Sequence, residues 1–312
     1  MHSEGGALAG LVGRCPAIES LRRELAQLGP DDMKVHVFGE TGTGKERVAR
    51  ALHDLSPRRA RPFVPVNGAG FTDDMLSAEL FGHSRGAFTG AVSERTGYVA
   101  QAEGGTLFID EVAELSGVGQ ARLLRFLQEG EYQRLGETTL RKANVRIISA
   151  TNADLGRRVE AGRFREDLLY RLNDDTIVVP PLRERGEDVL LLAGHFLIRE
   201  AARRRVDPPR LSAATEAALL AHSWPGNVRE LEKEMRRLVV RAAGQLVEPE
   251  QLSRAIAAQV SRTSGTLKAA LRQFESEMLR DVIARHSGCQ ARAAAALGIT
   301  RQALWAKKRR LL

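Results

Sequence analysis

Short apolar runs rich in β-branched residues alternate with amphipathic segments between residues 35 and 182. The runs have the length of strands, and the segments between them place apolar residues three or four apart, as helices do. The predicted strands read KVHVFG, FVPVN, GTLFID, VRIISATN and DTIVVPP, and the predicted helices read GKERVARALHDLS, DDMLSAELFG, GQARLLRFLQEG and FREDLLYRLN. Such alternation is typical of α/β folds, in which helices cover a parallel sheet. We predict an α/β domain over residues 11–182, after a short extension at residues 1–10.

The pattern becomes entirely helical after the segment PPLRERGED. Three amphipathic stretches follow, which read DVLLLAGHFLIREAARRR, SAATEAALLAHS and NVRELEKEMRRLVVRAA. We predict from them an α-helical lid subdomain over residues 183–252. Residues 253–266 have the composition of a linker. Beyond it lies one more amphipathic helix, with apolar positions at Leu267, Leu271, Phe274, Met278 and Val282.

Composition excludes several classes of protein. The chain has 312 residues, of which 43% are hydrophobic, enough for two or three cores. No apolar run approaches the roughly 18 residues of a membrane helix, and the N-terminus lacks the pattern of an export signal. The two cysteines, Cys15 and Cys289, lie far apart without metal-binding spacing. We expect a cytoplasmic protein with no membrane partner.

Most of the net charge lies at the C-terminus. Residues 267–312 contain ten Lys or Arg against three Asp or Glu, and so carry +7 of the net charge of +8. A small basic segment on a neutral body is typical of a nucleic-acid-binding module. A solvated basic tail is the alternative, but the helical pattern of the segment favours a folded module.

The last residues, GCQARAAAALGITRQALWAKKRRLL, predict a helix-turn-helix. An alanine-rich helix leads to a turn that contains glycine, and Thr300 can cap the final helix. The second helix of this motif enters the major groove with its N-terminal residues against base edges. We therefore expect Arg301 and Gln302 to contact bases of double-stranded DNA, and Lys307 and Lys308 to contact phosphates.

A glycine-rich stretch, GETGTGKE, follows the first predicted strand and opens a predicted helix. This is the P-loop spacing G-x-x-x-x-G-K, in which backbone amides surround phosphate oxygens and the lysine reaches the terminal phosphates. The predicted nucleotide-binding residues are Gly39, Glu40, Thr41, Gly42, Thr43, Gly44, Lys45 and Glu46. Glu46 stands where a P-loop usually has the Ser or Thr that ligates magnesium.

A second motif, GGTLFIDE, delivers two carboxylates at the end of a buried strand. Asp110 can hold Mg²⁺, and Glu111 can deprotonate the attacking water. An acidic pair at the end of a strand is weak evidence by itself, but together with a P-loop about 65 residues upstream it indicates a hydrolytic site. Asn152, in SATN, closes another strand at the same edge of the sheet, where ligands of open α/β sheets bind. We predict hydrolysis of a nucleoside triphosphate with Mg²⁺.

Several motifs occur together from about Leu11 to Leu312, and they read GETGTGKE, ELFGH, GAFTGA, GGTLFIDE, FREDLLYRLN, PPLRER and WPGNVREL. In this order and spacing they resemble the bacterial sigma-54-dependent transcription activators, the NtrC-like branch of the AAA+ ATPases. The C-terminal segment resembles the Fis-type domain that ends many of these activators. The resemblance implies an ATPase that remodels sigma-54 RNA polymerase at a promoter, from the closed to the open complex.

The resemblance also assigns roles to three arginines. Arg165 and Arg171 match the arginines that reach the ATP of a neighbouring subunit, where a guanidinium supplied in trans stabilises the charge of the transition state. Surface ion pairs of a helix are the alternative. Arg229 matches sensor II, which contacts the γ-phosphate. The family pattern implies a hexameric ring with ATP between subunits. The amphipathic helix at residues 267–284 would be the dimerisation helix, so we expect dimers on near-palindromic DNA sites.

Two asparagines and the unusual glutamate also match the family. Asn67 matches the switch asparagine that holds Glu111 until contacts change, and Asn152 matches sensor I. The family's P-loop also carries Glu at position 46, so magnesium ligation would rest on Asp110 and phosphate.

The loop HSRGAFTGA contains the residues that the resemblance places against sigma-54. By itself it favours a buried anchor at Phe88, but within this family Phe88 and Thr89 are expected to contact sigma-54, and the glycines allow the loop to rise. The predicted contact residues are Gly86, Ala87, Phe88, Thr89, Gly90 and Ala91. The segment EYQRLGE corresponds to the second pore loop.

Two other functions remain open at this stage. A DNA-binding repressor on the same scaffold would be expected to carry a damaged GAFTGA, and a AAA+ DNA-handling motor would lack both that loop and the Fis-like tail. No regulatory domain is visible before LVGRCPAI. Control is therefore expected from a separate regulatory protein, or from a part of a longer chain.

Overall fold

The computed structural model describes residues 8, 10–69, 73–87 and 91–257, and nearer the C-terminus residues 278, 279, 282, 294, 296–299, 304 and 307. The chain divides into two compact units. The first comprises the residues up to Arg205 together with Ser223–Val239, and the second comprises Val206–His222 and the residues from Val240 onward. Within the described part, no helix combines the length and apolar character needed to cross a membrane.

The strands and helices predicted between residues 35 and 241 are present, while the predicted helices of the C-terminal segment lie largely outside the described residues. The strands are β1 (Val35–Phe38), β2 (Phe63–Asn67), β3 (Gly82–His83), β4 (Arg95–Thr96), β5 (Thr106–Asp110), β6 (Glu131–Tyr132), β7 (Arg141–Lys142), β8 (Arg146–Thr151), β9 (Asp175–Val178), β10 (Arg210–Leu211) and β11 (Leu246–Val247). The α-helices are α1 (Pro16–Leu28), α2 (Lys45–Asp54), α3 (Asp73–Phe81), α4 (Tyr98–Gln101), α5 (Gly117–Glu129), α6 (Leu155–Glu160), α7 (Glu166–Leu172), α8 (Asp188–Arg204), α9 (Ala213–Ala221) and α10 (Asn227–Arg241).

A five-stranded parallel sheet forms the centre of the first unit. Its order is β2–β5–β8–β1–β9, and these are the five strands expected from the apolar runs. The predicted α/β fold with a parallel sheet is therefore confirmed. Because the strands are parallel, their carboxyl ends share one edge, where the residues that follow β1, β5 and β8 come together.

Two apolar clusters cover the two faces of this sheet. Successive side chains of a strand point to opposite faces, so Leu107 and Ile109 of β5 pack into one cluster while Phe108 between them packs into the other. Helix α1 buries Ile18, Leu21 and Leu25 in the second cluster. The sequence analysis did not predict α1, although these apolar positions recur every three or four residues.

The second unit has a small structure of its own. Strands β10 and β11 pair in parallel, and Ser212 caps α9 by accepting a hydrogen bond from the Thr215 amide at 3.3 Å. Near the C-terminus, three buried side chains form an apolar cluster, namely Leu279, Ala294 and Leu304. The predicted base-contacting residues Arg301 and Gln302 lie outside the described residues.

Candidate active site

A cleft of about 780 Å³ opens at the carboxyl edge of the sheet in the first unit. The P-loop lies on one side, the end of β5 on another, and helices α8 and α10 contribute the rest. Its polar lining includes Lys45, Asp110, Glu111 and Arg229. Its apolar lining consists of Val12, Leu192, Phe196 and Val228. An apolar wall beside a set of charged groups suits a ligand with one flat ring and one anionic end.

The P-loop adopts backbone conformations that depend on glycine. Gly42 and Gly44 have φ angles of 81° and 102°, in the left-handed region that residues with a Cβ rarely adopt. A Cβ on Gly42 would also lie 2.3 Å from the Gly226 carbonyl oxygen, too close for any side chain. Both glycines thus permit the tight loop that leads from β1 into α2.

Lys45 is buried in the P-loop. Its Nζ donates a hydrogen bond to the Gly39 carbonyl oxygen at 2.9 Å and lies 3.9 Å from Oε1 of Glu111. Burial lowers the pKa of Lys45, while the carboxylates of Glu111 and Asp110 oppose that shift. The lysine is therefore held at the mouth of the loop, next to the carboxylate pair.

The two carboxylates at the end of β5 occupy different positions. Asp110 accepts the Glu111 amide at 3.0 Å, and Glu111 has a positive φ of 51°, which turns it away from the strand. Oε2 of Glu111 accepts a hydrogen bond from the Thr151 hydroxyl at 3.3 Å. Asn152 lies beside them and donates from Nδ2 to Oγ1 of Thr41 at 2.8 Å. The structure thus brings three predicted motifs to one place.

Asn67 lies at the same edge, but its side chain is engaged locally. Its Oδ1 accepts a hydrogen bond from the Ala69 amide at 2.8 Å. Within the described residues it makes no hydrogen bond to Glu111, which is bonded to Thr151 instead. Because Asn67 pairs with Asp110 in the register of β2 and β5, it is nonetheless one residue away from the glutamate in the sheet.

Arg229 reaches the cleft from the start of α10. Its backbone amide donates to the Gly42 carbonyl at 3.2 Å, and its side chain lines the cleft. The sequence analysis missed its neighbour Asn227, a fully buried residue with a φ of 51°. Nδ2 of Asn227 donates to the Thr41 carbonyl and to Oε2 of Glu40, both at 3.1 Å.

Glu40 is fixed at the outer side of the P-loop by a bidentate pair. Arg183 donates from Nη1 and Nη2 to the two carboxylate oxygens at 2.9 and 2.7 Å. The Arg183 guanidinium, together with Asn227, lowers the pKa of Glu40 to about 2. Glu40 therefore stays charged well below the pH at which an ordinary glutamate titrates, and it anchors the loop through Arg183. Glu46 is exposed and lines the cleft.

Arg165 and Arg171 do not line this cleft. Arg165 is exposed and donates to Asp167 from Nε and Nη2 at 3.0 and 2.7 Å, while its backbone amide donates to Gln120 at 2.9 Å. Arg171 is also exposed, and the described part of the chain offers it no carboxylate partner. The local ion pair expected as the alternative is thus present at Arg165 alone.

The residues that precede the GAFTGA loop contact the segment EYQRLGE, which corresponds to the second pore loop. Ser84 donates from its amide to the Leu135 carbonyl at 3.0 Å, and a Cβ on Gly136 would lie 2.9 Å from that of Ala87. The Gly86 amide donates to the Ala91 carbonyl at 2.9 Å, and Ala91 is buried.

Several predicted contact residues lie outside the described residues, namely Phe88, Thr89, Gly90 and Lys308. Lys307, the other predicted phosphate contact, is described and is half-buried.

Three family models match successive parts of the chain. They are the Sigma-54 interaction domain over residues 11–178, the AAA+ ATPase lid domain over residues 183–269, and the Fis family of bacterial regulatory proteins over residues 270–311.

Relatives and solved structures agree with these matches. Transcriptional regulatory protein ZraR of Salmonella typhimurium is 44% identical over 309 residues, which are 98% of this chain and 70% of ZraR. The C4-dicarboxylate transport transcriptional regulatory protein DctD of Rhizobium meliloti is 41% identical over 96% of this chain and 64% of DctD. NtrX from Brucella abortus, crystallised with ATP, superposes with a TM-score of 0.74 at 35% identity, over 96% of this chain and 69% of NtrX. The chain therefore belongs to the family of sigma-54-dependent transcriptional activators, with an AAA+ ATPase domain, a helical lid and a Fis-type DNA-binding domain.

Proposed function

We propose that this protein binds Mg²⁺-ATP in the cleft, assembles into a ring, and uses hydrolysis to convert sigma-54 RNA polymerase from a closed to an open promoter complex. The observation that carries the proposal is the split of the charged groups. Lys45 and Glu111 lie 3.9 Å apart in the cleft, whereas the matching arginines Arg165 and Arg171 lie outside it. A second copy of the chain is the natural source of these two guanidinium groups, which would add to the arginines that already line the cleft, Arg229 among them.

The donor set fits a magnesium ion held mainly by the nucleotide. Mg²⁺ is usually bound in such sites by one or two carboxylates together with phosphate oxygens and waters. Within the described residues no cluster of three His, Cys, Asp or Glu side chains could form a protein cage. Asp110 is the residue that would hold the ion, and the ion would neutralise charge on the phosphates.

The residues of the cleft divide the remaining work. The P-loop amides and Lys45 bind the phosphates, and the apolar side chains Leu192 and Phe196 of α8 offer a surface for the base. Glu111 accepts a proton from the attacking water, and the Thr151 hydroxyl orients its carboxylate. Arg229, which lines the cleft, and Asn152, which is bonded to Thr41 of the P-loop, would contact the terminal phosphate of the nucleotide.

Hydrolysis must change the affinity for sigma-54 if it is to do mechanical work. A ligand that binds two states equally shifts no equilibrium. Asn67 lies beside Asp110 in the sheet register, and it would pass the state of the nucleotide to the loop that carries Phe88. The partner at that loop is sigma-54, and Gly86, Ala87, Thr89, Gly90 and Ala91 complete the contact.

DNA recognition falls to the basic C-terminal segment. Residues 270–311 match the Fis family, and the charge of residues 267–312 suits phosphate contacts. Arg301 and Gln302 are the residues we assign to base edges, with Lys307 and Lys308 at phosphates. Binding to upstream DNA would place the protein at the nucleoid of the bacterial cytoplasm.

The test is ATP hydrolysis as a function of protein concentration, with and without Mg²⁺, alongside sedimentation of the same samples. We expect the specific activity to rise with the fraction of assembled protein and to vanish when Mg²⁺ is chelated. Activity that is the same per subunit at all concentrations, in a protein that sediments as a monomer, would contradict the shared site.

A further inference from the structure

Three consecutive carbonyl groups of the P-loop accept hydrogen bonds from two distant segments of the first unit. We call residues 182–185 and 226–229 the clamp segments. In chain order, the acceptor and donor pairs are Thr41 O with Asn227 Nδ2 at 3.1 Å, Gly42 O with the Arg229 amide at 3.2 Å, and Thr43 O with Arg185 Nη2 at 3.0 Å. None of these donors lies in the P-loop motif itself.

Asn227 connects the two clamp segments to each other as well as to the loop. Its Oδ1 accepts the Leu182 amide at 2.8 Å, while its Nδ2 is shared between Thr41 and Glu40. The residue is fully buried, so its own amide group would find no water molecule to replace a lost partner. An amide side chain is required because it must accept on one atom and donate on the other.

The clamp acts on the direction of the P-loop amides. A trans peptide unit is planar, with its C=O and N–H on opposite sides. Asn227 holds the Thr41 carbonyl on one side of the loop, so the Gly42 amide of the same peptide unit points to the other side. Arg185 holds the Thr43 carbonyl, and the Gly44 amide is oriented in the same way. Neither glycine amide donates to a protein acceptor within the described residues. These are the donors that an anion at a P-loop uses.

We propose that Asn227 is a positioning residue for phosphate binding, and that it pre-organises the Gly42 and Gly44 amides through the carbonyl groups on the other side of the loop. Arg185, which is 4% exposed and also donates to the Pro180 carbonyl, supports the same loop from the second clamp segment. The inference rests on the proposed binding of ATP in this cleft. Asn227, at the start of α10, would then affect how tightly the phosphates bind and would leave the binding of the adenosine unchanged.

The test compares ATP, ADP and AMP binding to the full chain by competition with a fluorescent ATP analogue in the presence of Mg²⁺. The variants are Asn227→Asp, which keeps the shape but puts a carboxylate oxygen where the donor faced Glu40 and Thr41, and Asn227→Gly, which keeps the positive φ without a side chain and adds no charge. We expect the affinity for ATP and ADP to fall at least about tenfold in both variants, because the two hydrogen bonds donated by Nδ2 are lost. We expect the affinity for AMP to change by less than about threefold, and hydrolysis to show a raised KM with a kcat close to that of the native protein.

Gln120 offers a matched control. It is a buried amide that also donates to two carbonyls, those of Leu115 and Arg163, and accepts one backbone amide, that of Arg165, away from the P-loop. Gln120→Glu should leave the affinity for ATP within about twofold of the native value. Unchanged ATP affinity in both Asn227 variants, or equal losses for ATP, AMP and the Gln120 control, would overturn the inference. A native chain that binds no ATP would instead overturn the proposed function.

Discussion

The ammonium group of Lys45 and the carboxylate of Glu111 face each other at 3.9 Å across the mouth of the P-loop. Lys45 also donates a hydrogen bond to the Gly39 carbonyl, which holds its ammonium group at the P-loop. From there Lys45 can neutralise phosphate charge, and Glu111 stays available for the attacking water. We predict that Glu111→Gln keeps ATP binding within about threefold of the native protein but slows hydrolysis by about 10²- to 10⁴-fold, the usual contribution of a general base. Equilibrium binding and steady-state hydrolysis measure the two effects. A variant that hydrolyses ATP at the native rate would exclude Glu111 as the base.

Arg165 is expected to act on a neighbouring subunit. In one copy its guanidinium is bonded to Asp167 and lies outside the cleft. We predict that Arg165→Ala loses about 10³-fold in hydrolysis, as loss of an arginine finger does, and that mixing it with Glu111→Gln restores activity because some mixed interfaces are intact. The measurement is hydrolysis at fixed total protein and varied ratio. If no mixture exceeds the sum of its components, the arginine does not act in trans.

The strands and the nucleotide motif could be predicted because their signals are local. Apolar runs of strand length identified all five strands of the sheet, and the spacing of glycine and lysine located the P-loop between β1 and α2. The meeting of Asp110 with Lys45 followed from one rule about the edges of parallel sheets. The Arg165–Asp167 pair also joins residues that are close in sequence.

The clamp on the P-loop could not be predicted in the same way. Asn227 and Thr41 are 186 positions apart, and nothing in the local pattern GNVREL states where the amide points. Asparagine tolerates the positive φ at the start of α10, so this position signals a helix start rather than a contact. Arg185 was likewise one arginine of PPLRER, and only the fold shows that its guanidinium meets the Thr43 carbonyl.

Arg146 ties two helix ends to the sheet. Its guanidinium is 1% exposed and donates to the carbonyls of Leu28, Gly29, Met33 and Leu52 at 3.0 to 3.3 Å. Burial lowers the pKa of Arg146. Arg146→Met should reduce the free energy of unfolding by about 2–4 kcal/mol, because the buried carbonyls would lose their donors. Denaturant titration measures this, and Arg122→Met, at an exposed position, should stay within about 0.5 kcal/mol of the native protein. Equal effects of the two changes would contradict the role assigned to Arg146.

His36 should make the first unit less stable in acid. It is buried in β1 with Nδ1 2.9 Å from the Ser149 hydroxyl, and burial, assisted by the charge of Lys45, lowers its pKa to about 4. Between pH 6.5 and 4 the unfolded chain binds a proton at His36 that the folded chain does not bind. The contribution of neutral His36 to the free energy of unfolding is therefore complete above pH 6.5 and is lost as the pH falls towards 4.

The size of this effect can be measured against a variant without the imidazole. The native protein should lose stability relative to His36→Asn by up to about 1.4 kcal/mol per pH unit in that window. Unfolding free energies at several values between pH 4 and 7 give the two slopes. Parallel slopes would show that His36 titrates normally in the folded protein.

The central claim is tested most directly by promoter opening with sigma-54 RNA polymerase, native protein and Phe88→Ala, measured together with ATP hydrolysis in the same reactions. We predict that the native protein opens the promoter only when ATP is hydrolysed, and that Phe88→Ala hydrolyses ATP at close to the native rate but opens no promoter. If opening and hydrolysis fall together, Phe88 is structural and not a contact. If the native protein hydrolyses ATP and never opens a sigma-54 promoter, it is not an activator, and a repressor on the same scaffold becomes the better account.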